Sequence, residues 1–150
     1  MSALEKFPRI TTFLWFDANA EEAVDFYLTV FKNSRRLEEL RMPDGKVLTI
    51  AFELDGQKFS ALNGGPKFKF TEAISLVVRC DSQQEVDEYW SKLTAGGNES
   101  QCGWLKDKFG LSWQIVPAKI QEVLKNPKAV EAMMKMKKLD MAELERAAGS

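Results

Sequence analysis

Ile10-Thr11-Thr12-Phe13-Leu14-Trp15-Phe16-Asp17 and Ile74-Ser75-Leu76-Val77-Val78-Arg79-Cys80-Asp81 decide the architecture of this chain. Each is a short apolar run, rich in β-branched or aromatic residues, and reads as a buried strand. In each, an Asp follows the first Ile by seven residues. A helix signal comes next in both. After the first run, Asn19 stands three residues before Glu22, the spacing of a capping box. Ala20, Ala23, Val24, Tyr27, Val30 and Phe31 then fall at helical spacing. After the second, Ser82 and Glu85 repeat the box, and Val86, Tyr89, Trp90 and Leu93 give the i, i+3, i+4, i+7 face.

Outward from these segments the two halves continue alike. The first predicts strands over 36–42, 46–54 and 57–63, separated by the turns Pro43-Asp44-Gly45 and Asp55-Gly56. The second predicts strands over 99–102, 104–107 and 111–116, with Gly96-Gly97 ending the helix and Phe109-Gly110 marking the last turn. Val24-Asp25-Phe26-Tyr27 is echoed by Val86-Asp87-Glu88-Tyr89, and Gly56 with Phe59 by Gly110 with Trp113. Gly64-Gly65-Pro66 reads as a connector. One helix and a few strands are too little to close a core alone. The expected fold is α+β: two tandem β-α-β-β-β units, about 8–66 and 70–117, forming a curved mixed sheet. Pro117 ends the repeat. Beyond it, helices are expected over 118–125, 128–138 and 140–148, the last opened by Asp140 and Glu143. Met133, Met134, Met136 and Met141 in this tail suit adaptable packing against the sheet or a partner, or a flexible lid.

The chain has 150 residues, 45% hydrophobic and 29% charged, as expected of a single domain spanning 1–150. A net charge of −1 gives no electrostatic footprint for nucleic acid or an anionic membrane. No apolar run reaches the roughly 18–20 residues of a transmembrane helix. The first residues lack the pattern of a signal peptide, so cytoplasmic residence is expected. Cys80 and Cys102 read as two reduced, buried thiols. There is no histidine. That excludes Ser-His-Asp and Cys-His nucleophile systems and H-E-x-x-H metal sites.

Several stretches carry a resemblance: 10–17, 20–27, 59–66, Cys102-Gly103-Trp104-Leu105-Lys106-Asp107-Lys108-Phe109-Gly110-Leu111-Ser112-Trp113-Gln114-Ile115-Val116-Pro117, and 132–140. On these the chain resembles the vicinal oxygen chelate superfamily of glyoxalases, extradiol dioxygenases and drug-sequestering resistance proteins. Within it, the chain is similar to the PhnB-like group, also called the 3-demethylubiquinone-9 3-methyltransferase domain. The resemblance implies sheets curled into a concave cleft, pairing into a homodimer, and metal ligands on the first and last strands of each unit. Carried onto this sequence, those positions are Thr11 (Thr12 if the strand slips by one), Ser60, Ser75 and Gln114. None is His or a carboxylate, so no metal or other cofactor is expected.

The expected site is therefore a concave cleft holding a small-molecule ligand, with Thr11, Ser60, Ser75 and Gln114 as neutral hydrogen-bonding groups and Phe13, Trp104 and Trp113 as walls. Two other readings stay open. One is a metal-dependent lyase, isomerase or dioxygenase using other ligands. The other is the methyltransferase of the group's label, although the Gly-rich strand-to-helix loop of a usual methyl-donor fold is missing.

Overall fold

The computed structural model describes residues 2–149. They divide into two compact units, one running to Lys69 and the other beginning at Phe70.

The first unit contains β1 (Thr12–Phe16), α1 (Ala20–Val30), β2 (Arg35–Arg41), β3 (Val47–Leu54) and β4 (Gln57–Asn63), after a short 3-10 turn at Ala3–Lys6. The sheet order is β1-β4-β3-β2. β1 and β4 are parallel, and the other pairs are antiparallel. Alternation gives the sheet two unlike faces. Leu14, Phe16, Ile50, Phe52, Phe59 and Ala61 are buried on the side of α1, where Ala20, Ala23, Val24, Tyr27 and Val30 are buried too. The Phe52 and Phe59 rings stack 5.2 Å apart. Each such side chain contributes roughly 1.5–3 kcal/mol on burial. Phe13, Ala51 and Ser60 belong to the other face by register.

The second unit repeats the plan with β5 (Leu76–Cys80), α2 (Gln83–Thr94), β6 (Asn98–Glu99), β7 (Trp104–Lys106) and β8 (Ser112–Pro117) in the order β5-β8-β7-β6. β5 and β8 are again parallel. Cys80, Leu105, Trp113 and Ile115 are buried on the α2 side, as are Val86, Trp90 and Leu93 of α2. The first strand of each unit starts two residues later than its apolar run: Ile10 and Ile74 precede β1 and β5 and are exposed. The repeat extends to single hydrogen bonds. Gly64 N–H donates to the Phe16 carbonyl and Ala118 N–H to that of Cys80, both at 2.8 Å.

The start of α1 differs from expectation. Asn19 makes no capping bond with its side chain. Asn63, at the end of β4, does the work instead. Its Oδ1 accepts from Ala20 N–H at 2.8 Å, and its Nδ2 donates to Glu21 Oε1 and the Val47 carbonyl. Ser82 does cap α2, accepting from Glu85 N–H, while Glu85 reaches back to Asp81 N–H.

The strand expected over 99–102 is only Asn98–Glu99. Cys102 has φ 59°, in a turn where Trp104 N–H donates to the Gln101 carbonyl. That turn receives the tail, which comprises α3 (Ile120–Val123), α4 (Pro127–Met133) and α5 (Met141–Gly149). The helix expected to reach 138 stops at Met133, because the carbonyls of Met136 and Lys137 accept from Cys102 and Gly103 N–H. Leu139 closes on Gly103, where an added Cβ would lie 3.0 Å from Leu139 Cδ1 at a positive φ. Gln83 clamps the other side, donating to the Leu139 carbonyl and accepting from Met141 N–H. Ile120, Met136, Leu139 and Leu144 form the tail's core, with Val116 packed against it. Among the described residues, no helix is long and apolar enough to cross a membrane.

Asn63 unites β4, β3 and α1, so Asn63→Ala should lower the unfolding free energy by about 1–3 kcal/mol. Asn19→Ala should cost only a few tenths, roughly the helix-terminal propensity difference. Urea melts of the two variants decide this, and equal losses would contradict the cap assignment.

Candidate functional site

On the second sheet, β5 and β8 run side by side with Val77 opposite Gln114. Ser75, just before β5, shares the parity of Val77. Gln114 Nε2 donates to Ser75 Oγ at 2.9 Å. Two of the four expected polar groups thus meet, on the face away from α2. Trp104 lies opposite Gln114 and Lys106 opposite Ser112 on the neighbouring strand. These residues share the open face. A cavity of about 390 Å³ sits beside β7, lined by Glu72, Asn98, Ser100, Trp104, Lys106 and Ser112, among others.

Trp113 stands elsewhere. Adjacent strand residues point to opposite faces, so Trp113 cannot share the face of Gln114. It is 3% exposed, and its indole N–H donates to Asp107 Oδ2 at 2.9 Å. Asp107 is itself buried, and its Oδ1 accepts from Phe109 and Leu111 N–H. This carboxylate ties the β7–β8 turn to the Trp113 ring and so sets where β8 begins. Sequence reading passed over Asp107. Its available signal was an Asp three residues before Gly110, the position at which Asp accepts from the turn's own N–H groups.

In the first unit, Ser60 pairs with Phe13 in register, on the face away from α1. Phe13 is 59% exposed. Thr11 precedes β1, and its hydroxyl donates to the Pro8 carbonyl at 3.1 Å. Thr12, paired with Phe59, falls on the α1 side. Trp15 shares the parity of Phe13. Its indole N–H donates to the Gly65 carbonyl at 2.9 Å, and its ring meets Phe68 edge-on. A Cβ on Gly64 would lie 2.4 Å from the Trp15 ring. Gly64-Gly65 is therefore a seat for Trp15.

Of the thiols, Cys80 is buried and Cys102 half-buried, and both are free. Burial pushes the Cys80 thiol up to about 12, with the nearby Glu85 and Asp81 carboxylates adding to the rise. It is neutral in the native protein at any ordinary pH.

The family model described as 3-demethylubiquinone-9 3-methyltransferase matches residues 8–116. A PhnB protein from Bacillus cereus is 35% identical, with a TM-score of 0.69 over 74% of this chain and all of that one. The chain belongs to the PhnB-like 3-demethylubiquinone-9 3-methyltransferase family. The fold, two four-stranded mixed sheets with C-terminal helices, extends to more distant proteins. PA1353 from Pseudomonas aeruginosa is 16% identical, with a TM-score of 0.61 over 73% of this chain and 97% of that one. The fosfomycin resistance protein FosX from Listeria monocytogenes, in a structure with Mn(II) and sulfate, is 16% identical, with a TM-score of 0.57 over 79% and 95%. No curated protein matches the chain.

The family description implies a methyl donor, and the resemblance carried by the sequence implies a divalent metal; the residues present fit neither. For a divalent metal, the second unit offers a hydroxyl and an amide already bonded to each other. These are neutral, weak donors compared with His, thiolate or carboxylate. Among the described residues, no group of three or more His, Cys, Asp or Glu side chains converges. For a methyl donor, the backbone at Gly64 is occupied by the Trp15 ring, and the Gly65 carbonyl is engaged by the Trp15 indole N–H.

The Cys80 thiol carries a pH signature. Its folded pKa lies above the ordinary 9.0, so the unfolded chain loses that proton first. Its contribution to stability is whole below about pH 9 and is lost as pH rises towards 12. At pH 8 a thiol reagent should titrate Cys102 in the native protein and Cys80 only on unfolding. Equal, rapid labelling of both would contradict the burial of Cys80.

Proposed function

We propose that this PhnB-like protein binds a small organic molecule on the open faces of its sheets, through oriented neutral hydrogen bonds. The observation that carries the reading is the Gln114–Ser75 pair. A carboxamide held by one neighbour keeps a second N–H and a carbonyl oxygen for a ligand. Each bond to such a group is worth a net ~0.5–1.5 kcal/mol, enough to orient a carbonyl or hydroxyl compound. Trp104 supplies the adjoining wall on the second sheet. On the first, Thr11, Phe13 and Ser60 are the corresponding groups. Trp113 acts from behind, by holding β8 in place. The reading is of a cytoplasmic protein whose site needs neither a divalent metal nor a methyl donor.

We further propose a homodimer. Each sheet ends in strands with open edges, a liability that proteins cover. Phe13 and Leu40 in the first unit, and Ile74 and Val77 in the second, are large apolar side chains left more than half exposed. Light scattering should give about twice the chain mass of 17.0 kDa. A single-chain mass at micromolar concentration would contradict the dimer.

Mass spectrometry of protein released from cells tests the binding reading. A co-purifying small molecule should be retained by the wild type and about tenfold less by Gln114→Leu, the loss of one or two oriented bonds. Retention unaffected by Gln114→Leu would overturn the site. Stoichiometric divalent metal after dialysis would favour a lyase, isomerase or dioxygenase. Heat on titration with S-adenosylmethionine would favour methyl transfer.

A further inference from the structure

Among the residues lining the cavity beside β7, Ser112 carries a polar atom that the fold leaves unserved. Ser112 is 0% exposed, and its Oγ has no hydrogen-bond partner among the described residues. An unpaired buried hydroxyl costs about 1–3 kcal/mol and calls for a partner. Lys106 stands opposite Ser112 in the β7–β8 register, so its stem crosses the same patch of sheet. Its ammonium is taken by the Glu72 carboxylate. Glu72 comes from 64–75, which carries no helix or strand, and its side chain is 61% exposed. The Lys106 ammonium, by hydrogen bond and charge, holds the Glu72 carboxyl below its ordinary value.

We propose that this cavity binds a small organic monocarboxylate, for which Glu72 is an internal stand-in. The ligand carboxylate replaces Glu72 on Lys106, and Ser112 Oγ donates to its second oxygen or to an adjacent acceptor. The displacement is cheap, because an exposed ion pair contributes only ~0–1 kcal/mol and the released Glu72 returns to water. The half-buried Trp104 walls the apolar part of the ligand. One-for-one exchange selects a monoanion. Among the described residues, Lys106 is the single cation lining the cavity, against the carboxylates of Glu72 and Glu99, so a monoanion that takes the place of Glu72 leaves the charge balance unchanged; one Glu99 oxygen is engaged by the Trp90 indole N–H. A phosphate dianion would be undercompensated there.

The inference rests on the reading that the open face of the second sheet binds small molecules, and the test separates the two. Benzoate, benzamide, benzylamine and inorganic phosphate are titrated while backbone and indole NMR signals are followed. Benzoate should shift Trp104, Lys106 and Ser112, with benzamide, benzylamine and phosphate at least about tenfold weaker. Glu72→Gln should tighten benzoate binding about threefold by removing the competitor. Lys106→Gln should weaken it about tenfold or more. Ser112→Ala should weaken it severalfold without lowering Tm, because the variant deletes an orphaned hydroxyl. Benzamide matching benzoate, Glu72→Gln binding no tighter, or no response from Trp104 would each overturn the carboxylate assignment. Shifts confined to Ser75 and Gln114 would overturn it while sparing the wider reading. Silence across the whole face would count against both.

Discussion

Each unit depends on its last strand returning parallel beside its first. β4 lies against β1, and β8 against β5. Hairpins alone would place neighbouring strands in chain order. The parallel return instead requires a crossover, and the helix after the first strand begins it. It brings residues from opposite ends of a unit into one register, and that is how Gln114 reaches Ser75. It also gives each sheet one face for the helix of its own unit and leaves Phe13 and Val77 exposed on the other, so the chain acquires candidate binding faces from its connectivity.

Much of this was legible in the sequence because the deciding signals are local. The two apolar runs, the helical faces after them and the turn glycines repeat at the same spacing, and local spacing survives folding. Two of the failures depended on contacts distant along the chain. Asn19 has the right spacing for a cap, yet Asn63 arrives from β4 and takes the role. The helix after Asn126-Pro127 was read through to 138, but the turn at Cys102 and Gly103 needed the carbonyls of Met136 and Lys137. Trp113 and Gln114 were both expected at one cleft. Adjacent residues on a strand cannot share a face, and the Asp107 bond holds Trp113 on the core side.

The candidate site was legible as chemistry more than as geometry. The absence of histidine is a property of composition, and so is the neutral character of Thr11, Ser60, Ser75 and Gln114. The partners of these side chains were not legible. Thr11 gives its hydroxyl proton to Pro8 and can only accept from a ligand, whereas Gln114 keeps both a donor and an acceptor. The cavity at Ser112 could not have been read from sequence. It arises where β7 lies against β8 and the Glu72 segment passes nearby. Gly64-Gly65, expected as a connector, also seats Trp15, whose ring fills the space beside Gly64 and whose indole N–H reaches the Gly65 carbonyl.

The central claim is that the face of the second sheet turned away from α2 receives a small molecule. Crystals of the protein soaked with a broad set of small polar fragments test it directly. The account predicts fragments gathered on that face, within hydrogen-bonding reach of Gln114, Ser75, Ser112 or Lys106. Fragments binding repeatedly elsewhere, with that face left to solvent in every soak, would contradict it.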